Sequence, residues 1–172
     1  MRIKPHVYLA VFVLLVLVLF YSQGAQAVRV DNLILSSAVQ GQVLDHGKPV
    51  AGLTVKRILF WNMESEPRTE ITTTREDGRF DFPEVRAAAE FGFLAKLFHV
   101  PTVSIRVQLS IDDVDYGAYF GGRHSYEGHV ETGLPQIRMK CDLKNRRLKD
   151  EMLPVVDCVV ELSEEYRNRT YD

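Results

Sequence analysis

Two imidazoles and two carboxylates fall within eight residues in His124-Ser125-Tyr126-Glu127-Gly128-His129-Val130-Glu131. Imidazole nitrogens and carboxylate oxygens are ligands that zinc and copper accept, so His124 and His129 are the candidate metal residues. Their spacing is not that of the His-Glu-x-x-His helix, which puts two imidazoles on one face, and a solvated polar loop accounts for the same composition. Asp112, Asp113 and Asp115 offer oxygens to calcium, but the glycine and distal glutamate of a calcium loop are missing from the required places, and a turn between strands explains them better. The serines lie in no Gly-x-Ser-x-Gly elbow, and no catalytic triad can be assembled. The expectation is a protein that is not an enzyme and holds no cofactor. Trp61, Tyr116, Tyr119 and Tyr126 are the candidate binding residues, because aromatic rings with a polar end suit contacts with sugars or a protein partner. Core packing is the commoner role for Trp61. Asn168-Arg169-Thr170 fits an N-glycosylation acceptor, which matters only in a pathway that modifies it.

The elements that must position these residues read as strands. Ile137, Met139, Cys141 and Leu143 alternate with Arg138, Lys140 and Asp142, and Val156, Cys158, Val160 and Leu162 repeat the pattern. Both sulfurs therefore point to the apolar face, and two inward cysteines in an exported chain favour a Cys141–Cys158 disulfide. Closing that loop is worth on the order of 3 kcal/mol.

Earlier in the chain, Ala38–Asp45 and Leu53–Trp61 read as strands around a Gly47-Lys48-Pro49 turn, with a phase change between Val55 and Ile58 that suggests a bulge near Lys56-Arg57. Asn62–Pro67 form a polar loop, Thr69–Thr74 a strand, and Glu76-Asp77-Gly78 a turn into Arg79–Phe82. Ala87, Phe91, Leu94 and Phe98 recur at helical spacing, so one short helix is expected near 84–98. Val103–Ile111 alternate strongly, Asp112-Asp113 turn the chain, and Tyr116–Phe120 return as a strand. Long polar loops follow at Gly121–Gly133 and Lys144–Glu151, and the acid-rich stretch Glu161–Glu165 reads as a solvated strand end. About eight short strands and one helix predict a mainly β fold, an antiparallel β-sandwich.

Ahead of this domain, Arg2 and Lys4 precede an uncharged apolar run from Val7 to Tyr21, too short for the roughly 20 residues of a spanning helix. Ala25-Gln26-Ala27 then offers small residues for cleavage, so residues 1–27 read as a signal peptide and 28–172 as one domain. An uncleaved anchor is the alternative, and would be the chain's only tie to a membrane. Either reading places Val28–Asp172 outside the cytoplasm, in the periplasm or secreted. Without Arg2 and Lys4, the 21 basic residues become 19 against 23 acidic ones, which disfavours a nucleic-acid partner.

The stretches Gly41-Gln-Val-Leu-Asp-His-Gly-Lys-Pro-Val-Ala-Gly-Leu-Thr-Val-Lys-Arg57 and Thr73-Thr-Arg-Glu-Asp-Gly-Arg-Phe-Asp-Phe-Pro83 resemble the opening of a prealbumin-like (transthyretin-like) domain. That superfamily includes the carboxypeptidase regulatory-like domains and hydroxyisourate hydrolase, and the resemblance covers Val39–Pro83. The whole chain is similar to a group of small exported bacterial proteins of this fold. The hydrolase carries a histidine before the Val-Leu-Asp of its first strand and ends in Tyr-Arg-Gly-Ser. Here Gln42 stands at the first place and Tyr166-Arg167-Asn168-Arg169 at the second, while Arg79 is kept. Glutamine cannot move a proton near neutral pH, so the resemblance implies the fold without that activity. His99-Val100-Pro101 matches another piece of the hydrolase pattern but lies too early in the chain.

These readings converge on a non-enzymatic protein-binding module of the cell envelope, an inhibitor or immunity protein for a periplasm-acting enzyme being one concrete form. The alternatives are a small-molecule or envelope-glycan binder using the four aromatic residues and, less favoured, a metal-dependent enzyme at His124 and His129.

Overall fold

The computed structural model describes residues 27–92, 100–147 and 154–169. The residues expected to form the signal peptide lie outside this set, except Ala27. Eleven strands run in chain order: β1 (Ala27–Ser36), β2 (Ala38–Asp45), β3 (Lys48–Pro49), β4 (Thr54–Trp61), β5 (Arg68–Thr73), β6 (Arg79–Phe82), β7 (Val85–Gly92), β8 (Val103–Ile111), β9 (Val114–Arg123), β10 (Gln136–Arg147) and β11 (Val155–Val160). A helix, α1 (Glu164–Arg169), follows. The described residues divide between two compact units, the larger holding 32–87 and 100–169, the smaller 27–31 and 88–92. In the smaller unit Arg29 pairs with Asp31 at 2.9 Å. Strands β1 and β7 pair in a two-stranded sheet of their own.

The remaining strands form one mixed sheet in the order β3-β2-β10-β11-β9-β8-β4-β5, with β6 also on β2. The expectation of a purely antiparallel arrangement is corrected by two parallel pairings. Residues 136–142 of β10 run parallel to 38–44 of β2, and β11 meets β9 in parallel at Val155 and Gly117. A hairpin forces its two strands to run opposite ways; β10 reaches β2 through almost the whole domain, so no turn sets its direction.

Alternation builds the core. Val39 and Val43 of β2, Val55 and Leu59 of β4, Ile105, Val107 and Leu109 of β8, and Ile137 and Cys141 of β10 are buried, and their chain neighbours are more exposed, apart from Leu44 and Gln108, which are buried as well. The disulfide joins Cys141 to Cys158 with sulfurs 2.08 Å apart, and the two residues are direct partners in the β10–β11 register.

Three expectations change. The helix near 84–98 is a strand over Val85–Gly92, and 93–99 lie outside the described residues. A spacing of four residues is even, so Ala87 and Phe91 share a face of a strand as readily as of a helix. From Val85 to Glu90 exposure alternates, with Ala89 buried and Arg86, Ala88 and Glu90 exposed. The bulge near Lys56-Arg57 is absent, because β4 pairs without interruption with both β5 and β8. The apparent phase change arises because Arg57 itself faces the core. The bulge of this region lies in the β8–β9 pairing, between Val107 and Gln108. The acidic stretch read as a strand end opens α1 instead, where Glu164 and Glu165 suit the positive end of the helix and Ser163 Oγ accepts from the Tyr166 amide at 3.3 Å.

Candidate functional site

The polar segment that follows β9 is tied to the body at several points. Arg123 ends β9 with its side chain fully buried, and Glu131 is 1% exposed beside it. Arg123 Nη1 donates to Glu131 Oε1 at 3.1 Å, Nε to the Ser125 carbonyl at 2.8 Å, and Nη2 to the Glu127 carbonyl. Glu131 also accepts from the Ser37 amide at 2.9 Å and from Ser37 Oγ at 2.8 Å. Burial pulls the Arg123 guanidinium below its ordinary range, and Glu131 opposes that shift. Tyr126 accepts at its hydroxyl from the Trp61 indole at 3.0 Å, the two rings edge to face, and the Tyr166 hydroxyl donates to the Val130 carbonyl at 2.8 Å. What remains exposed is a short tip, with His124, Glu127, Gly128 and His129. His129 holds a φ of 66°, a backbone region uncommon for a residue with a side chain.

This geometry separates the four residues of the metal motif. His124 and His129 face solvent, Glu131 is turned inward on Arg123 and Ser37, and among the described residues no three His, Cys, Asp or Glu side chains are grouped to hold an ion. Asp115 is engaged by Lys56 Nζ at 2.8 Å and Ser110 Oγ at 2.5 Å, which hold its carboxyl below the usual range. Asp112 and Asp113 make the two-residue turn between β8 and β9. Of the aromatic candidates, Trp61 is buried and brought onto Tyr126. Tyr116 and Tyr119 sit half-buried on β9; burial, then the Glu131 charge, push the Tyr119 phenol up to about 12.

A second polar constellation lies on the outer face of β6, β2, β10 and β11, where a groove of about 480 Å³ is lined by Gln40, Gln42, Arg79, Arg138, Lys140 and Val159, among others. Gln42, at the place of the hydrolase histidine, donates its amide to the Asp77 carbonyl at 3.0 Å. Arg79 is the register partner of Gln42 on β6, and Lys140 its partner on β10.

Sequence reasoning missed the buried charges. Arg57 has no exposed surface; its Nε donates to Glu70 Oε2 at 2.7 Å, its Nη2 reaches the same oxygen, and the guanidinium lies 5.0 Å over the Phe82 ring. The available signal was its place between Val55 and Leu59 on an inward face.

Residues 39–146, more than half of the chain, match a family described as a domain of unknown function (DUF6795), and the chain belongs to that family. The match takes in β2 through most of β10, including Arg123, the tip and Glu131. No curated protein and no solved structure matches the chain.

Proposed function

We propose that the chain is a non-enzymatic protein-binding module of the cell envelope that docks its partner through the tip His124–Val130. One observation carries this reading: the buried Arg123–Glu131 pair and its hydrogen bonds to Ser37 and to the Ser125 and Glu127 carbonyls fasten a polar, exposed tip to the body of the domain. A loop ordered in advance loses little conformational freedom on docking, which is how rigid inhibitor loops gain affinity. The strained His129 backbone fits a segment shaped for contact. An inhibitor or immunity protein against an enzyme acting outside the cytoplasm is the concrete form we favour. Export through residues 1–27 belongs to this proposal, and the Cys141–Cys158 disulfide is compatible with it. A prealbumin-like sandwich is the proposed scaffold: the ladders β6-β2-β10-β11 and β9-β8-β4-β5 meet at one residue pair, Val155 and Gly117, which supports two sheets over one sheet.

Photocrosslinking in the native cell tests the docking. A photoreactive residue at Gly128 should give one discrete adduct, and the same residue at Ile71, exposed on β5, should not. Equal adducts from both places, or none from Gly128, would remove the basis of the reading.

A further inference from the structure

Side chains on one face of a sheet line up in rows across neighbouring strands. Register and the Arg138–Glu161 contacts place two such rows under the groove. In one, Asp81 (β6), Gln40 (β2), Arg138 (β10) and Glu161, just beyond β11, follow one another, and the charges close on near neighbours. Arg75 holds Asp81 at 2.5 Å and Arg138 lies 3.6 Å from Glu161. The next row reads Arg79, Gln42, Lys140 and Val159: cation, amide, cation, apolar, with no carboxylate. Among the described residues Lys140 has no ion-pair partner, and Arg79 meets only Asp77, outside the groove, at 3.5 Å. Positive charge is thus left over in the groove of a chain whose net charge is −2.

Strands lie about 4.8 Å apart, so Arg79 and Lys140 flank Gln42 with backbones about 10 Å from each other, a gap two long side chains can close on one anionic group. A guanidinium fork matches a carboxylate in its plane, and the lysine adds a point charge. Beyond Lys140 on the same row, Val159 is 75% exposed, the most exposed of the large apolar side chains among the described residues. We propose that this row binds an aliphatic carboxylate, the head between Arg79 and Lys140 and the hydrocarbon over Val159. The site shares no residue with the tip that docks a protein, and it uses none of Trp61, Tyr116, Tyr119 or Tyr126. A fatty acid and the free C-terminus of an apolar peptide both carry this chemistry.

Calorimetric titration of the protein as cells produce it tests the site with octanoate, acetate, inorganic phosphate and an apolar tetrapeptide bearing a free or an amidated C-terminus. Octanoate or the free-acid peptide should bind at least about tenfold tighter than acetate or phosphate, since only they cover Val159. Whichever of the two is tighter identifies the source, and amidation should abolish peptide binding. Arg79→Gln and Lys140→Gln should each weaken binding by about tenfold, the worth of one charge-assisted hydrogen bond, while Arg75→Gln, already occupied by Asp81, changes it less than about twofold. Val159→Ser should weaken octanoate and leave acetate unchanged. All of these side chains are exposed, so matching thermal melts will show that the variants fold. No binding by octanoate or peptide, phosphate binding tightest, or full affinity in the Arg79→Gln/Lys140→Gln double variant would overturn the assignment.

Discussion

Replacing Glu131 by alanine should be among the most damaging single changes in the domain. The carboxylate is 1% exposed and takes three hydrogen bonds, from Arg123 at 3.1 Å and from Ser37 at 2.9 and 2.8 Å. Its loss leaves a fully buried guanidinium whose remaining hydrogen-bond acceptors, among the described residues, are the Ser125 and Glu127 carbonyls. Breaking a buried pair in this way costs about 3–5 kcal/mol, which for a domain of this size lowers Tm by about 10 °C. Urea unfolding followed by fluorescence is the assay, because the only tryptophan, Trp61, meets Tyr126 of that loop edge to face and reports its detachment. The companion Arg123→Met/Glu131→Leu removes both charges; it leaves the Ser37 donors without an acceptor, and the Ser125 and Glu127 carbonyls, which lie in the exposed tip, turn to water, so it should cost about 2 kcal/mol, less than Glu131→Ala alone. A loss below about 1 kcal/mol for Glu131→Ala, the value of an exposed pair, or a double variant as poor as the sum of the singles, would refute the claim that this pair organises the loop.

The Arg57–Glu70 pair should behave asymmetrically. Glu70→Ala strands the buried guanidinium and should cost about 3 kcal/mol, whereas Arg57→Met keeps the packing on Phe82, leaves a carboxylate that is 37% exposed to water, and should cost under about 1 kcal/mol by denaturant midpoint. Tyr119 makes the domain alkali-sensitive. Its folded-state value of about 12 lies above the ordinary tyrosine value near 10, so the folded form binds more protons between those limits and stability falls as pH rises through them. Thermal melts from pH 9 to 11.5 should show that fall in the parent and a shallower one in Tyr119→Phe. Removing the disulfide with Cys141→Ala/Cys158→Ala should cost about 3 kcal/mol for a sequence separation of 17, read as a lower urea midpoint.

What local pattern encodes was legible, and what depends on distant pairing was not. Alternation in Val103–Ile111 and Gln136–Leu143 gave the strands, their buried faces and the cysteine pair, because each signal sits within one strand. Ala87 and Phe91 misled because a spacing of four satisfies two periods, and only the exposure of Arg86, Ala88 and Glu90 decides between them. Arg57 and Arg123 read as surface by type; each is buried because one partner, Glu70 or Glu131, comes with it. The groove shows the same limit. Gln42 and Arg79 drew notice through the prealbumin resemblance, and Lys140 was legible as an outward residue of its strand, whereas Val159, apolar between Cys158 and Val160, drew none. That all four stand in one row follows from the parallel β2–β10 register, which joins strands almost a hundred residues apart and leaves no trace in either segment alone. A row of charge across a sheet therefore belongs to the topology, so the carboxylate site should be lost when that register slips by one residue even if every side chain in it is kept.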